Sequence, residues 1–386
     1  MTRYQLRKVP VELGYRSLSP AVSSNVFPTF ADAKQTLDRK LDQYQPFHPE
    51  DDTLSFLRIV HRYLPLQGQV NLAEDVERCS DDEEVRQLAE SFDTGLLRPM
   101  LANGGTTPAI TLSRRLGMED SVENLLPEGI QTASRDSQRR LRDHCLAREG
   151  HRCAVTKAWS LDYKERPPDA ADAPLEAAHI IPFALGVFRE GDRDERYRHA
   201  IIWVNINRYF PDLRSRRGFS SEDVNNEENV IMMLQALHTE FGNFRFTFEA
   251  TQTTNRYRIK EFPGFARLYR TFLPPNRFVT FTSHDGRYPL PSPTILTVHA
   301  AIANILNLSG RGEKIQEMRR DLGSMSEGLA RDGSTKVEEL LSVSKLSLLS
   351  TGTSQKRNLS KSQRHAPTVL AGVENQPPPS RPDYRQ

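Results

Sequence analysis

Leu175-Glu-Ala-Ala-His179-Ile-Ile-Pro182 sets one imidazole in a short, mostly apolar run that a proline then stops. Such a run reads as a buried strand, because proline has no N–H to give to a ladder and restricts the residue before it. Upstream stands Cys153-Ala-Val-Thr156. Downstream, Asn229-Val-Ile-Met-Met-Leu-Gln-Ala-Leu-His238-Thr-Glu-Phe241-Gly follows the polar loop Ser220–Glu228. His238 falls on a helical turn whose packing face is Leu234, Leu237 and Phe241. A histidine ending a strand, an asparagine on a loop and a histidine on a helix can converge on one metal ion.

These three pieces, in this order and with Pro182 and Phe241 in place, resemble the HNH endonuclease domain family, in the branch that spells Glu-Ala-Ala-His-Ile-x-Pro. They also resemble fungal proteins that carry this domain and continue into a segment like Phe281-Thr-Ser-His-Asp-Gly-Arg-Tyr288. The resemblance covers about residues 135–348. It implies a ββα-metal fold that hydrolyses phosphodiesters of nucleic acid, with DNA as the expected substrate, using one divalent cation (Mg²⁺, Mn²⁺ or Zn²⁺). By that analogy His179 is the general base, since a neutral imidazole can take a proton from water near pH 7. Asn229 would ligate the metal or orient its surroundings, His238 would be a ligand presented by the helix, and Cys153 and Thr156 would frame the site.

Two positions depart from the family pattern. Many HNH sites carry a metal-binding Asp or His directly before the general base, and here that position is Ala178. Glu176 is the candidate for the unassigned ligand, although in a regular strand it and His179 point to opposite faces. Lys157 stands where the branch often has glycine after the threonine, and it is given no catalytic role. The long gap between Pro182 and Asn229 interleaves arginines with aromatics from Tyr197 to Arg217. Arg214, Arg216 and Arg217 are the expected phosphate contacts, against the alternative of a helix with a buried aromatic face. Phosphate contacts carry no sequence information, so no target sequence follows.

The rest of the chain reads as α+β. Ala31–Tyr44, Thr53–Leu64 and Ser80–Leu97 have helical apolar spacing, the last opened by the capping pattern Ser80-Asp-Asp-Glu83. Ser134–Glu149 is a charged helix ended by Gly150. Phe244–Phe248 and Tyr257–Lys260 predict a hairpin, Arg277–Thr282 a further strand, and Thr294–Leu308 a helix. The expected organisation is an acidic, mainly helical region over 1–132, the HNH domain over 133–265, an α/β extension packed on it over 266–350, and a disordered tail over 351–386. The tail holds five prolines, four serines and one aromatic residue, too little to bury against its ordering entropy.

The 386 residues carry a formal charge of only +2, which excludes a bulk polycation. The balance hides a gradient, because residues 1–132 have 14 basic and 20 acidic side chains while the tail has 6 and 2. No apolar run is long enough to span a membrane. Three cysteines, Cys79, Cys145 and Cys153, make no disulfide framework, and Cys145, His151 and Cys153 do not have a standard zinc spacing. An intracellular setting, nucleus or cytoplasm, is expected from the cysteines. The alternative function is a catalytically degenerate HNH fold that binds nucleic acid or protein, motivated by Ala178.

Overall fold

Thr29 opens the first helix with a reciprocal cap. In the computed structural model, which describes residues 26–101, 135–186 and 193–324, the Asp32 N–H donates to the Thr29 hydroxyl and the Thr29 N–H to the Asp32 carboxylate. That satisfies two donors the first turn would leave open. Helices α1 (Phe30–Gln43) and α2 (Thr53–Tyr63) fall where the apolar spacing predicts them. α3 (Leu66–Glu77) is a helix the spacing does not announce, since Gly68 and three polar residues interrupt its first two turns. α4 (Asp82–Phe92) is capped by Asp81, one residue later than predicted, and continues through a π-helical turn at Asp93–Leu97.

Tertiary contacts stabilise α3 where propensity does not. After α5 (Arg135–Arg148), the chain forms β1 (Trp159–Ser160), β2 (Asp172–Ala173) and β3 (Leu175–His179), and then α6 (Arg193–Tyr209). Gly68 lets α3 approach the end of α6 so closely that a Cβ there would sit 2.1 Å from the Tyr209 carbonyl oxygen. Beside it, the buried Asp75 carboxylate accepts from the Arg208 guanidinium at 2.7 and 2.8 Å and from the Tyr209 hydroxyl at 3.0 Å. The N-terminal helices and the downstream elements thus share one hydrophobic core.

Beyond α7 (Asp212–Arg217), β4 (Val230–Leu234) pairs antiparallel with β3, Leu175 opposite Leu234 and His179 opposite Val230. α8 (Gln235–Gly242) follows at once and packs on both strands. β5 (Phe246–Ala250), β6 (Arg256–Glu261) and β7 (Phe278–Thr280) form an antiparallel sheet in that order, which includes the expected hairpin. α9 (Pro293–Leu308) packs on β5, and α10 (Arg311–Ser324) closes the described chain. The mixture of helices and small sheets is α+β. The tail from Thr351 lies outside the described residues.

Two histidines are built into this core in neutral form. His299 of α9 is sandwiched between Phe241 and Phe244, with ring centroids 3.9 and 4.4 Å away, and burial pushes its pKa down to about 3. Its Nε2 donates to the Phe241 carbonyl, so Nδ1 accepts from the Thr247 hydroxyl. Burial likewise pushes His199 down to about 4, with its Nε2 donating to Leu185 O. Between pH 6.5 and these values the unfolded chain binds the protons and the folded chain does not, so stability falls as pH falls. At pH 5 each histidine should have removed about 2 kcal/mol relative to neutral pH. Urea unfolding at pH 7 and pH 5 checks this, and the loss should shrink in His199→Gln and His299→Gln.

Candidate active site

The antiparallel β3–β4 pair is regular, one residue opposite one, with no bulge between Leu175 and His179. Its geometry past His179 is set by Asn229. The Asn229 side chain is fully buried, its Oδ1 accepting from Ile181 N–H at 2.8 Å and its Nδ2 donating to the carbonyls of Ile181 and Val224. The Ile180 N–H also donates to the Asn229 carbonyl. Both side-chain polar atoms are therefore spent on backbone. This arrangement gives no support to Asn229 as a metal ligand; it makes Asn229 the clamp that holds the chain after His179 against the loop before β4.

That clamp brings Asn225 to His179. The His179 Nε2 lies 3.3 Å from Asn225 Oδ1, and its ring tilts against Phe183. An amide oxygen only accepts, so Nε2 carries the proton and Nδ1 keeps its lone pair. Burial pushes the His179 pKa down to about 4; the Asn225 bond opposes this and the nearby His238 adds to it. The imidazole is neutral at pH 7, as a proton acceptor must be.

The Glu176 carboxylate of β3 meets His238 of α8, Oε2 to Nδ1 at 2.7 Å, and His238 lies near enough to His179 to act on it electrostatically. The two side chains are 39 % and 35 % exposed, so the pair is open to solvent. Leu237 and Phe241, both buried, turn the helix so that His238 faces outward. A carboxylate oxygen and an imidazole nitrogen form a donor pair suited to a divalent cation whose remaining positions water can fill. No group of three or more His, Cys, Asp or Glu side chains is arranged for a metal among the described residues. The donor set fits a metal held by two protein ligands.

Strand, strand and helix thus follow one another in chain order, with His179 at the strand end, the Asn229 clamp and His238 on the helix. Residues 153–249 match the HNH endonuclease family. The matched stretch is about a quarter of the chain and contains all of these side chains. No curated protein and no solved structure matches the chain.

The matched stretch opens on a tight turn. Cys153 is buried, its N–H donating to Ala158 O and its thiol accepting from the Thr156 N–H at 3.4 Å. The Ala158 N–H donates to the Thr156 hydroxyl, and Ala154 N–H to Met232 O, which ties the turn to β4. Lys157 has φ +64°, the left-handed conformation that glycine adopts without strain. Cys145 and Cys153 are free thiols, and His151 stacks on Tyr163 at 4.1 Å, so these three do not gather around a zinc ion.

The arginine-rich stretch divides. Trp203, Tyr209 and Phe210 are buried and Arg208 is bound to Asp75, so this part follows the buried-face alternative and not base stacking. Arg214 is exposed on α7; the side chains of Arg216 and Arg217 lie outside the described residues. Asn225 is the site residue the sequence pattern passes over. Its signal is only its place in the loop Ser220–Glu228, since a loop asparagine is most often a turn residue.

Proposed function

We propose that the chain is a metal-dependent endonuclease that hydrolyses phosphodiester bonds of nucleic acid, with DNA as its substrate. The observation that carries the reading is the pairing of an open Glu176–His238 donor set with a neutral His179 on one strand pair and helix. His179 Nδ1 takes the proton of the attacking water while Asn225 holds the ring through Nε2. The water oxygen then bonds to phosphorus and the scissile P–O bond breaks. Glu176 and His238 would hold the divalent cation, which would polarise the phosphate and stabilise charge on the departing oxygen.

Ala178 favours the degenerate alternative only if nothing replaces its missing ligand. Glu176 lies two residues earlier on the same strand, hence on the same face, and its longer side chain reaches His238. The substitution therefore moves the carboxylate along the strand without removing it. Conversion of supercoiled plasmid to open circles in Mg²⁺ or Mn²⁺, abolished by EDTA, tests the activity. Calorimetric titration of Mn²⁺ tests the ligands: Glu176→Ala and His238→Ala should each weaken binding by at least ~10-fold. Undiminished affinity in both would remove them from the metal site.

A further inference from the structure

Resting on the nuclease reading, we propose that a second groove, outside the Glu176–His179–His238 site, holds a nucleic-acid strand through its phosphates. The groove, about 650 Å³, lies between the Val155–Lys157 turn and the Thr271–Thr280 segment. Thr156, Lys157 and Asn276 line it with donors, and Phe272 and Phe278 with rings. Lys157 Nζ donates to Ala154 O at 2.8 Å, which leaves two of its three protons for another acceptor.

Two guanidinium groups flank this groove, and each is stacked on an aromatic ring. Arg152 and Trp159 bracket the turn as a cross-strand pair, with the guanidinium carbon 3.9 Å from the Trp159 ring centroid. Arg256 lies 4.5 Å over Phe278, a lining residue of the groove. Both arginines are exposed, and neither has a carboxylate partner among the described residues. Their neighbours differ. Arg142, Arg166, Arg258, Arg270 and Arg277 are all paired with carboxylates. Stacking restrains the two free guanidinium planes without neutralising them, which suits phosphate oxygens approaching from solvent.

The turn carrying Thr156 is bonded to β4 of the β3–β4 pair, so a strand held here is carried by the same rigid unit as the active site. Its contacts are to phosphate, and they add affinity without sequence preference.

The experiment follows binding of a labelled single-stranded 20-mer to the full chain by fluorescence anisotropy, in EDTA, across a range of salt. Arg152→Gln/Arg256→Gln should weaken binding at least ~5-fold and flatten the slope of log K against log salt by about 1.4, two lost contacts at ~0.7 each. The single variants should each give about half of that change in slope. Trp203 is buried and Trp159 is not, so the bound strand should also alter tryptophan emission in the wild type, and Trp159→Phe should remove that change. A wild type that binds while the double variant, equally stable to heat, keeps its affinity and slope would overturn the groove assignment alone. A wild type that binds no nucleic acid would instead overturn the nuclease reading. Displacement of the strand by polyglutamate at matched charge would overturn the phosphate assignment.

Discussion

Replacing Arg148 by methionine is expected to lower the free energy of unfolding by about 3–5 kcal/mol. Arg148 is the largest fully buried side chain in the protein's described residues. Its guanidinium donates to the carbonyls of Glu227, Val230 and Pro289, and to the Glu149 carboxylate at 2.6 Å. It thereby joins the end of α5 to the loop before β4, to β4 itself and to the chain entering α9. Methionine fills much of the volume but takes the guanidinium donors from the Val230 and Pro289 carbonyls, leaves the Glu227 carbonyl only its bond from the Val230 N–H, and leaves Glu149 buried without its cation.

Glu149 makes the prediction specific. Burial raises its pKa to about 7, Arg148 being the main opposing influence, and its second oxygen accepts from Met232 N–H. Without Arg148 the folded state should hold the carboxyl proton still more tightly than the unfolded chain does. Lowering the pH then stabilises the variant, so its deficit against wild type should shrink between pH 8 and pH 5. Adding Glu149→Gln to Arg148→Met should recover at least ~1 kcal/mol at pH 8, a coupling expected of directly bonded groups. Urea unfolding of the four proteins in the cycle measures both effects. Additive losses that ignore pH would show that the pair is not coupled.

The second large effect concerns rate. His179→Ala should slow phosphodiester cleavage by ~10²–10⁴-fold, the usual contribution of a positioned general base. Its part-buried Asn225 contact holds the ring, and the alanine variant offers no side chain at that position to take the proton. Asn225→Ala, which frees the ring to rotate, should slow cleavage less and leave Mn²⁺ affinity unchanged. Asn229→Ala should act differently, through stability, because it strips three hydrogen bonds from a fully buried position.

What could be read from the sequence depended on how local the determining contacts are. Helices with clear apolar spacing, such as α1, α2 and α9, and the β5–β6 hairpin were legible because their pattern repeats within a few residues. α3 was not, since Gly68 is there for Tyr209, more than a hundred residues away. In the site, His179 and His238 stood out through their apolar frames. The Glu176–His238 contact was harder to foresee, because it depends on α8 folding back across β3. Asn229 was visible as a residue but not as a clamp: its role is defined by the backbone groups of Ile181 and Val224. The Arg208 environment shows the same limit, since the acid that binds it belongs to α3.

The β3–β4 pair and α8 are expected to cleave nucleic acid with His179 as base and a divalent cation at Glu176 and His238. The most direct measurement is the rate of supercoiled plasmid nicking by the wild type and by His179→Ala, in saturating Mn²⁺ and in EDTA. Both proteins should first be shown to fold and to bind Mn²⁺ equally. Nicking by the wild type that EDTA abolishes and that His179→Ala reduces at least ~100-fold is the result expected. Absence of nicking by a wild type that binds metal, or equal nicking by both proteins, would contradict it.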